Sequence, residues 1–72
     1  MSKLKKIESK IDALHMKQKR LKVKIKETEN KFKKGEMGED KYRKKRVKCD
    51  MKLESTLSKL KELNRQKKEL SG

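Results

Sequence analysis

The sequence has no proline and no tryptophan, and only one phenylalanine, one tyrosine, one cysteine and one histidine in 72 residues. Each scarcity excludes something. A single cysteine cannot build a disulfide framework, which fits a reducing compartment. His15 stands alone, and no Ser/His/Asp, Cys/His or metal-ligand cluster accompanies it. The chain therefore reads as no enzyme, with no cofactor, metal or small-molecule substrate expected. Only 29% of the residues are hydrophobic, too few for a sandwich or an α/β core, so order must come from long amphipathic elements. No apolar run approaches the roughly 20 residues of a membrane span. No basic stretch leading into an apolar segment marks a signal peptide. The expected setting is intracellular, the cytoplasm first, with nucleoid or nucleus also compatible.

What is abundant is charge, and mostly of one sign. Half of the residues are charged, and 25 Lys plus Arg against 11 Asp plus Glu leave a formal net charge of +14. Such an excess points to a polyanionic partner: nucleic acid, an anionic membrane or an acidic protein.

Helix-breaking residues occur in one interior place, where Gly35 and Gly38 bracket Glu36 and Met37. The predicted organisation is one unit over residues 1–72: a helix at about 2–34, a turn at about 35–38 and a helix at about 39–71. Ser2 suits an N-cap and Gly35 a left-handed C′ position. Lys33 and Lys34 suit the last turn of the first helix, and Glu39 and Asp40 the first turn of the second.

Apolar spacing supports this. Leu4, Ile7, Ile11, Leu14, Leu21, Ile25 and Phe32 follow alternating steps of three and four, with Gln18 and Thr28 in the gaps. Tyr42, Cys49, Leu53, Leu60, Leu63 and Leu70 follow the same rule, with Arg46, Thr56 and Lys67 in the gaps. Each stretch is a heptad seam, with Leu4 at a and Ile7 at d. A fold at Met37 sets Leu4 against Leu70, Ile11 against Leu63, Leu14 against Leu60 and Phe32 against Tyr42. Polar gaps then meet as Gln18 with Thr56 and Thr28 with Arg46, while Lys67 faces Ile7. Every pair joins an a to a d. The fold class is all-α: an antiparallel two-helix coiled-coil hairpin, able to dimerise into a four-helix bundle.

The flanking columns differ. On the e edge Glu29 is expected opposite Arg43, Lys22 opposite Asp50, His15 by Leu57 and Glu8 by Asn64. This complementary edge helps set the register. The g edge reads Lys3, Lys10, Lys17, Lys24 and Lys31 in the first helix. In the second it reads Lys45, Lys52, Lys59 and Gln66. A double row of like charges disfavours the fold by roughly 0.2–0.5 kcal/mol per pair, so stability alone does not account for it. Two acid-free runs add to it, one holding Lys17, Lys19, Arg20 and Lys24, the other Arg43, Lys44, Lys45 and Lys48. With Lys31, Lys52 and Lys59, these are the candidate nucleic-acid contacts. Arg43-Lys44-Lys45-Arg46 also matches a basic nuclear-import pattern.

Cys49 at d reads as a small buried apolar residue, and Phe32 and Tyr42 as the closure of the seam beside the turn. Met16, Val23, Val47, Met51 and Leu57 lie off the seam and suggest a second packing surface. The turn Gly35-Glu36-Met37-Gly38-Glu39-Asp40-Lys41-Tyr42 resembles that of SHOCT-type short helical oligomerisation modules. Gly38 departs from the capping hydroxyl usual there, and the arms here are longer and more basic. The resemblance implies a small oligomerising hairpin.

Three functions are compatible with these features. The first is nonspecific, salt-sensitive nucleic-acid binding through the lysine edge. The second is a coiled-coil adaptor or homo-oligomerisation unit docking on an acidic protein surface. The third, weakest for lack of a broad apolar face with bulky anchors, is peripheral binding to anionic lipid.

Overall fold

The computed structural model describes residues 2–71. Two helices, α1 (Lys3–Lys33) and α2 (Glu39–Ser71), pack antiparallel along their whole length. The result is an all-α hairpin measuring 51 × 15 × 15 Å. No described helix is long and apolar enough to cross a membrane.

Local chemistry sets the ends. Ser2 is extended, and its hydroxyl accepts a hydrogen bond from the Lys5 amide at 3.3 Å. This satisfies one of the free donors of the first turn. At the other end of α1, Gly35 has φ 75°, a conformation that costs an L-residue but not glycine. The Gly35 amide donates to the Phe32 carbonyl at 3.0 Å and the Glu36 amide to the Lys31 carbonyl at 2.9 Å. These two bonds are a Schellman motif, which satisfies the last carbonyls of α1. The Gly38 carbonyl accepts the Tyr42 amide at 3.0 Å and starts α2. Met37, read in the sequence only as the pivot, is buried at 9% exposure.

The seam follows the heptad register. Every a and d position except Phe32 and Leu70 is buried or half-buried. Those two lie at opposite ends of the hairpin. Ile7, Ile11 and Leu60 form the buried cluster, with Leu14 and Leu63 packed against it. Phe32 and Tyr42 stack beside the turn, with centroids 4.4 Å apart and planes 14° from parallel. Cys49 is buried and unpaired by any disulfide.

Polar seam residues behave differently from the sequence expectation. Thr28 and Thr56 do not turn to Arg46 and Gln18. Their hydroxyls donate to the carbonyls of Lys24 and Lys52, one turn back in their own helices, both at 2.8 Å. A buried hydroxyl takes the nearest acceptor, and on a helix that is the carbonyl four residues earlier. Thr56 is thereby the most deeply buried side chain, at 1% exposure.

The e edge also repartners. Arg43 does not meet Glu29. It binds Glu39 in its own helix at 2.7 Å, an i,i+4 pair that needs no reach across the seam. Glu29 is taken by Arg46, whose long stem carries its guanidinium from the seam to the edge. Arg46 also pairs with Asp50 at 3.5 Å, in place of the Lys22 expected there. It donates to the Tyr42 hydroxyl at 3.5 Å. The hydrogen bond to Glu29, and then the nearby carboxylate charges, push the Arg46 pKa above its ordinary value. Lys67, half-buried on the seam, brings its ammonium to 4.0 Å from Glu8. These pairs are largely exposed, so they act on register more than on stability.

Candidate functional site

Helix geometry alone collects the lysines of the g edge. A seven-residue step returns to the same side of a seam helix, about 10.5 Å further on at 1.5 Å per residue. Two such columns run in opposite directions along one side of the hairpin. All eleven candidate contact residues are exposed: Lys17, Lys19, Arg20, Lys24 and Lys31 on α1, and Arg43, Lys44, Lys45, Lys48, Lys52 and Lys59 on α2.

The structure brings some of them together. Lys24 from α1 and Lys45, Lys48 and Lys52 from α2 line one groove of about 280 Å³, which also touches Thr28 and Cys49. Lys48 stands one position outside the g column and joins it here. Toward the open end the edge changes character. There Lys10 and Lys59 frame a shallow hollow with Ala13, Leu14 and Leu63 in it. Lys10 was visible in the g column but was not among the candidate contacts. A third hollow, on the outer side of α2, is lined by Arg43, Lys44, Val47 and Lys48. Lys17, Lys19, Arg20 and Lys31 are exposed on α1 but line none of these three.

Six of the eleven carboxylates are ion-paired. Arg43, Arg46, Arg65 and Lys67 hold the carboxylates of Glu39, Glu29, Asp50, Glu62, Glu69 and Glu8. Among the described residues, no g-edge lysine makes a salt bridge. Arg43 is thus a weaker candidate than the sequence implied, since its charge is shared with Glu39. Near the open end Arg65 forks onto Glu62 and also reaches Glu69 at 3.1 Å. Its hydrogen bonds, with a further one from Gln66, hold the Glu62 carboxyl below its ordinary pKa. Hydrogen bonding to Glu62 likewise raises the Arg65 value.

Off the seam, Met16, Val23, Val47, Met51 and Leu57 are exposed by 46–66%. Among the described residues there is no group of three or more His, Cys, Asp or Glu placed to hold a metal ion.

The fold and this edge define a class: a small basic helical hairpin with an acid-free, lysine-lined edge. Comparison of the chain with family models, with curated proteins and with solved structures gives no match.

Proposed function

We propose that this chain binds nucleic acid without sequence preference, laying its lysine edge along the phosphate backbone. The observation that carries the reading is the segregation of charge. Six of the eleven carboxylates are engaged by Arg43, Arg46, Arg65 and Lys67, while the g columns hold no acid and their lysines make no salt bridge among the described residues. Lysines about 10 Å apart lie near one Debye length at physiological salt, so they act together on a polyanion.

The dimensions favour backbone contact over base reading. A B-DNA major groove is about 12 Å wide and admits one helix, whereas this hairpin is 15 Å across both short axes. Its long axis of 51 Å spans about 15 base pairs at 3.4 Å each. Lysine, a point charge with rotatable donors, suits phosphate more than the bidentate reading of guanine.

Fluorescence anisotropy with labelled duplex DNA and single-stranded RNA tests this. Binding at micromolar concentration or tighter is expected in low salt, with little difference among sequences. No binding by the wild-type chain in low salt defeats the proposal.

A second reading has its own observation. The hollow holding Ala13, Leu14 and Leu63 between Lys10 and Lys59 combines apolar surface with a basic rim. This suits an adaptor or oligomerisation unit that receives an acidic amphipathic partner. Sedimentation of the purified chain, alone and with such a peptide, distinguishes the two: a stoichiometric complex with no nucleic-acid affinity favours the adaptor.

A further inference from the structure

The lysine edge is not uniform along its length. Its turn-proximal half is concave and the more polar of the two, and four lysines from two helices line it. Its open-end half is shallower and apolar. A uniform phosphate track explains a row of lysines but not this change along it.

We infer that the groove lined by Lys24, Lys45, Lys48 and Lys52 is a discrete site for a compact polyphosphate anion, of the size of a triphosphate. This rests on the reading of the edge as an anion-binding surface and adds a stoichiometric site to it. Three features support it. First, the four lysines line one groove but are drawn from different helices, so a bridging anion also ties the arms together. Second, of the two acids that flank Thr28 in sequence, Glu29 is engaged by Arg46. Asp50, next to Cys49, is engaged by Arg46 as well. Glu29 and Asp50 therefore do not compete freely for the lysines, and Glu27, on the other side of Thr28, pairs with none of them among the described residues. Third, the Thr28 hydroxyl spends its proton on the Lys24 carbonyl at 2.8 Å, so it has no proton to donate to an anion. Recognition therefore falls to the ammonium groups, and the number of ligand charges decides affinity. A tripolyphosphate carries about four negative charges at neutral pH, matching four lysines, whereas orthophosphate carries fewer than two.

Two sources present this chemistry: a free polyphosphate and the 5′-triphosphate end of an RNA. The test is isothermal titration of the full chain with sodium tripolyphosphate, and with orthophosphate as a control. One ligand per chain is expected, with orthophosphate about 100-fold weaker or more, since each lost charge-assisted contact is worth roughly tenfold. The variant K24Q/K45Q/K48Q/K52Q should lose this binding. The variant K3Q/K10Q/K17Q/K59Q removes the same four charges from the other half of the edge and should keep it. Circular dichroism should show both variants helical. Equal loss in the two variants, several ligands per chain, or no tripolyphosphate binding at all overturns the site.

Paired RNA oligonucleotides with 5′-triphosphate and 5′-hydroxyl ends then identify the source. Tighter binding of the triphosphate end, lost in the first variant only, assigns the groove to RNA termini. Equal binding of both oligonucleotides beside one-to-one tripolyphosphate binding assigns it to the free anion. Binding of 5′-hydroxyl RNA without tripolyphosphate binding removes the site and leaves the proposed function standing.

Discussion

The salt dependence of nucleic-acid binding is where the lysine edge makes its most quantitative demand. Six g-edge lysines, Lys17, Lys24, Lys31, Lys45, Lys52 and Lys59, stand exposed on one side of the hairpin. If each neutralises one duplex phosphate, log K should fall against log salt with a slope of about −5, at −0.9 per contact. Between 50 and 200 mM salt that is a loss of roughly 2,000-fold in affinity. Replacing Lys17, Lys24, Lys45 and Lys52 by Gln leaves two contacts, a slope of about −2 and a loss of roughly tenfold over the same range. The comparison variant replaces Lys5, Lys26, Lys61 and Lys68, which are exposed but lie off the g edge. It lowers the net charge equally and should keep a slope near −5. Anisotropy titrations at four or five salt concentrations measure all three slopes. Equal slopes for the two variants would refute the reasoning, because binding would then follow net charge and not its position.

The fold should answer salt in the opposite sense. Screening of the lysine rows should raise the melting temperature between 10 and 500 mM salt, read by circular dichroism, and a fall would contradict the like-charge edge. Gly35→Ala forces a side chain into φ 75° with open space around it. It should cost about 1–2 kcal/mol of helix-hairpin stability from backbone strain alone. Gly38→Ser, also in open space and at no positive φ, should instead stabilise by a few tenths of a kcal/mol through N-capping of α2; calorimetry of the pair checks both signs. Arg46→Glu should lower the melting temperature by facing Glu29 with a like charge, and Glu29→Arg with Arg46→Glu should recover part of it. No recovery would mean that the two positions do not face each other. Glu62 has a lowered folded pKa, so its contribution is complete above the ordinary carboxylate pKa of about 4.3. That contribution drains away as pH falls through the lower folded value. Helicity at the α2 end should accordingly drop on acidification below about pH 4 and less so in Glu62→Gln.

The hairpin was legible because its two seams carry the same information twice. Matching gaps at Gln18 and Thr56, and at Thr28 and Arg46, define the register. The structure buries or half-buries every a and d residue of that register except Phe32 and Leu70. What periodicity could not supply is where a long or polar side chain turns once it is placed. Arg46 sits at a seam position, yet its guanidinium leaves the seam for Glu29 and Asp50. The threonines likewise chose their own backbone over the facing helix. The burial of Met37 is not legible from periodicity because a turn has no repeat, although a lone apolar side chain in an otherwise polar turn is a usable signal. Of the candidate contacts, the columns named which lysines share a side. Their heptad positions did not reveal that the side divides into a polar groove and an apolar hollow. That division follows the residues between the lysines: Thr28 and Cys49 in the groove, Ala13, Leu14 and Leu63 in the hollow.

Stability and binding therefore draw on different residues of the same two helices. The buried cluster of Ile7, Ile11 and Leu60 contributes apolar area but no exposed charge. The arginines Arg43, Arg46 and Arg65 engage much of the acidity on the e edge and the outer faces. That leaves the g lysines without partners and slightly destabilising, since like charges at fixed spacing repel. A polyanion reverses this sign. Any ligand that binds only the folded hairpin stabilises it by mass action, and one that screens the lysine rows also removes the internal repulsion. Binding and folding are thus coupled through the edge. The chain should be more stable with its polyanion than without it, and the edge lysines should be the residues whose removal strengthens the free fold while weakening the complex. Loss of a seam residue such as Leu60 should do the reverse of the first and none of the second's selectivity, weakening fold and binding together. That contrast separates a functional edge from a solvated one: in a merely solvated face, the lysine substitutions would strengthen the free hairpin and leave no complex to weaken.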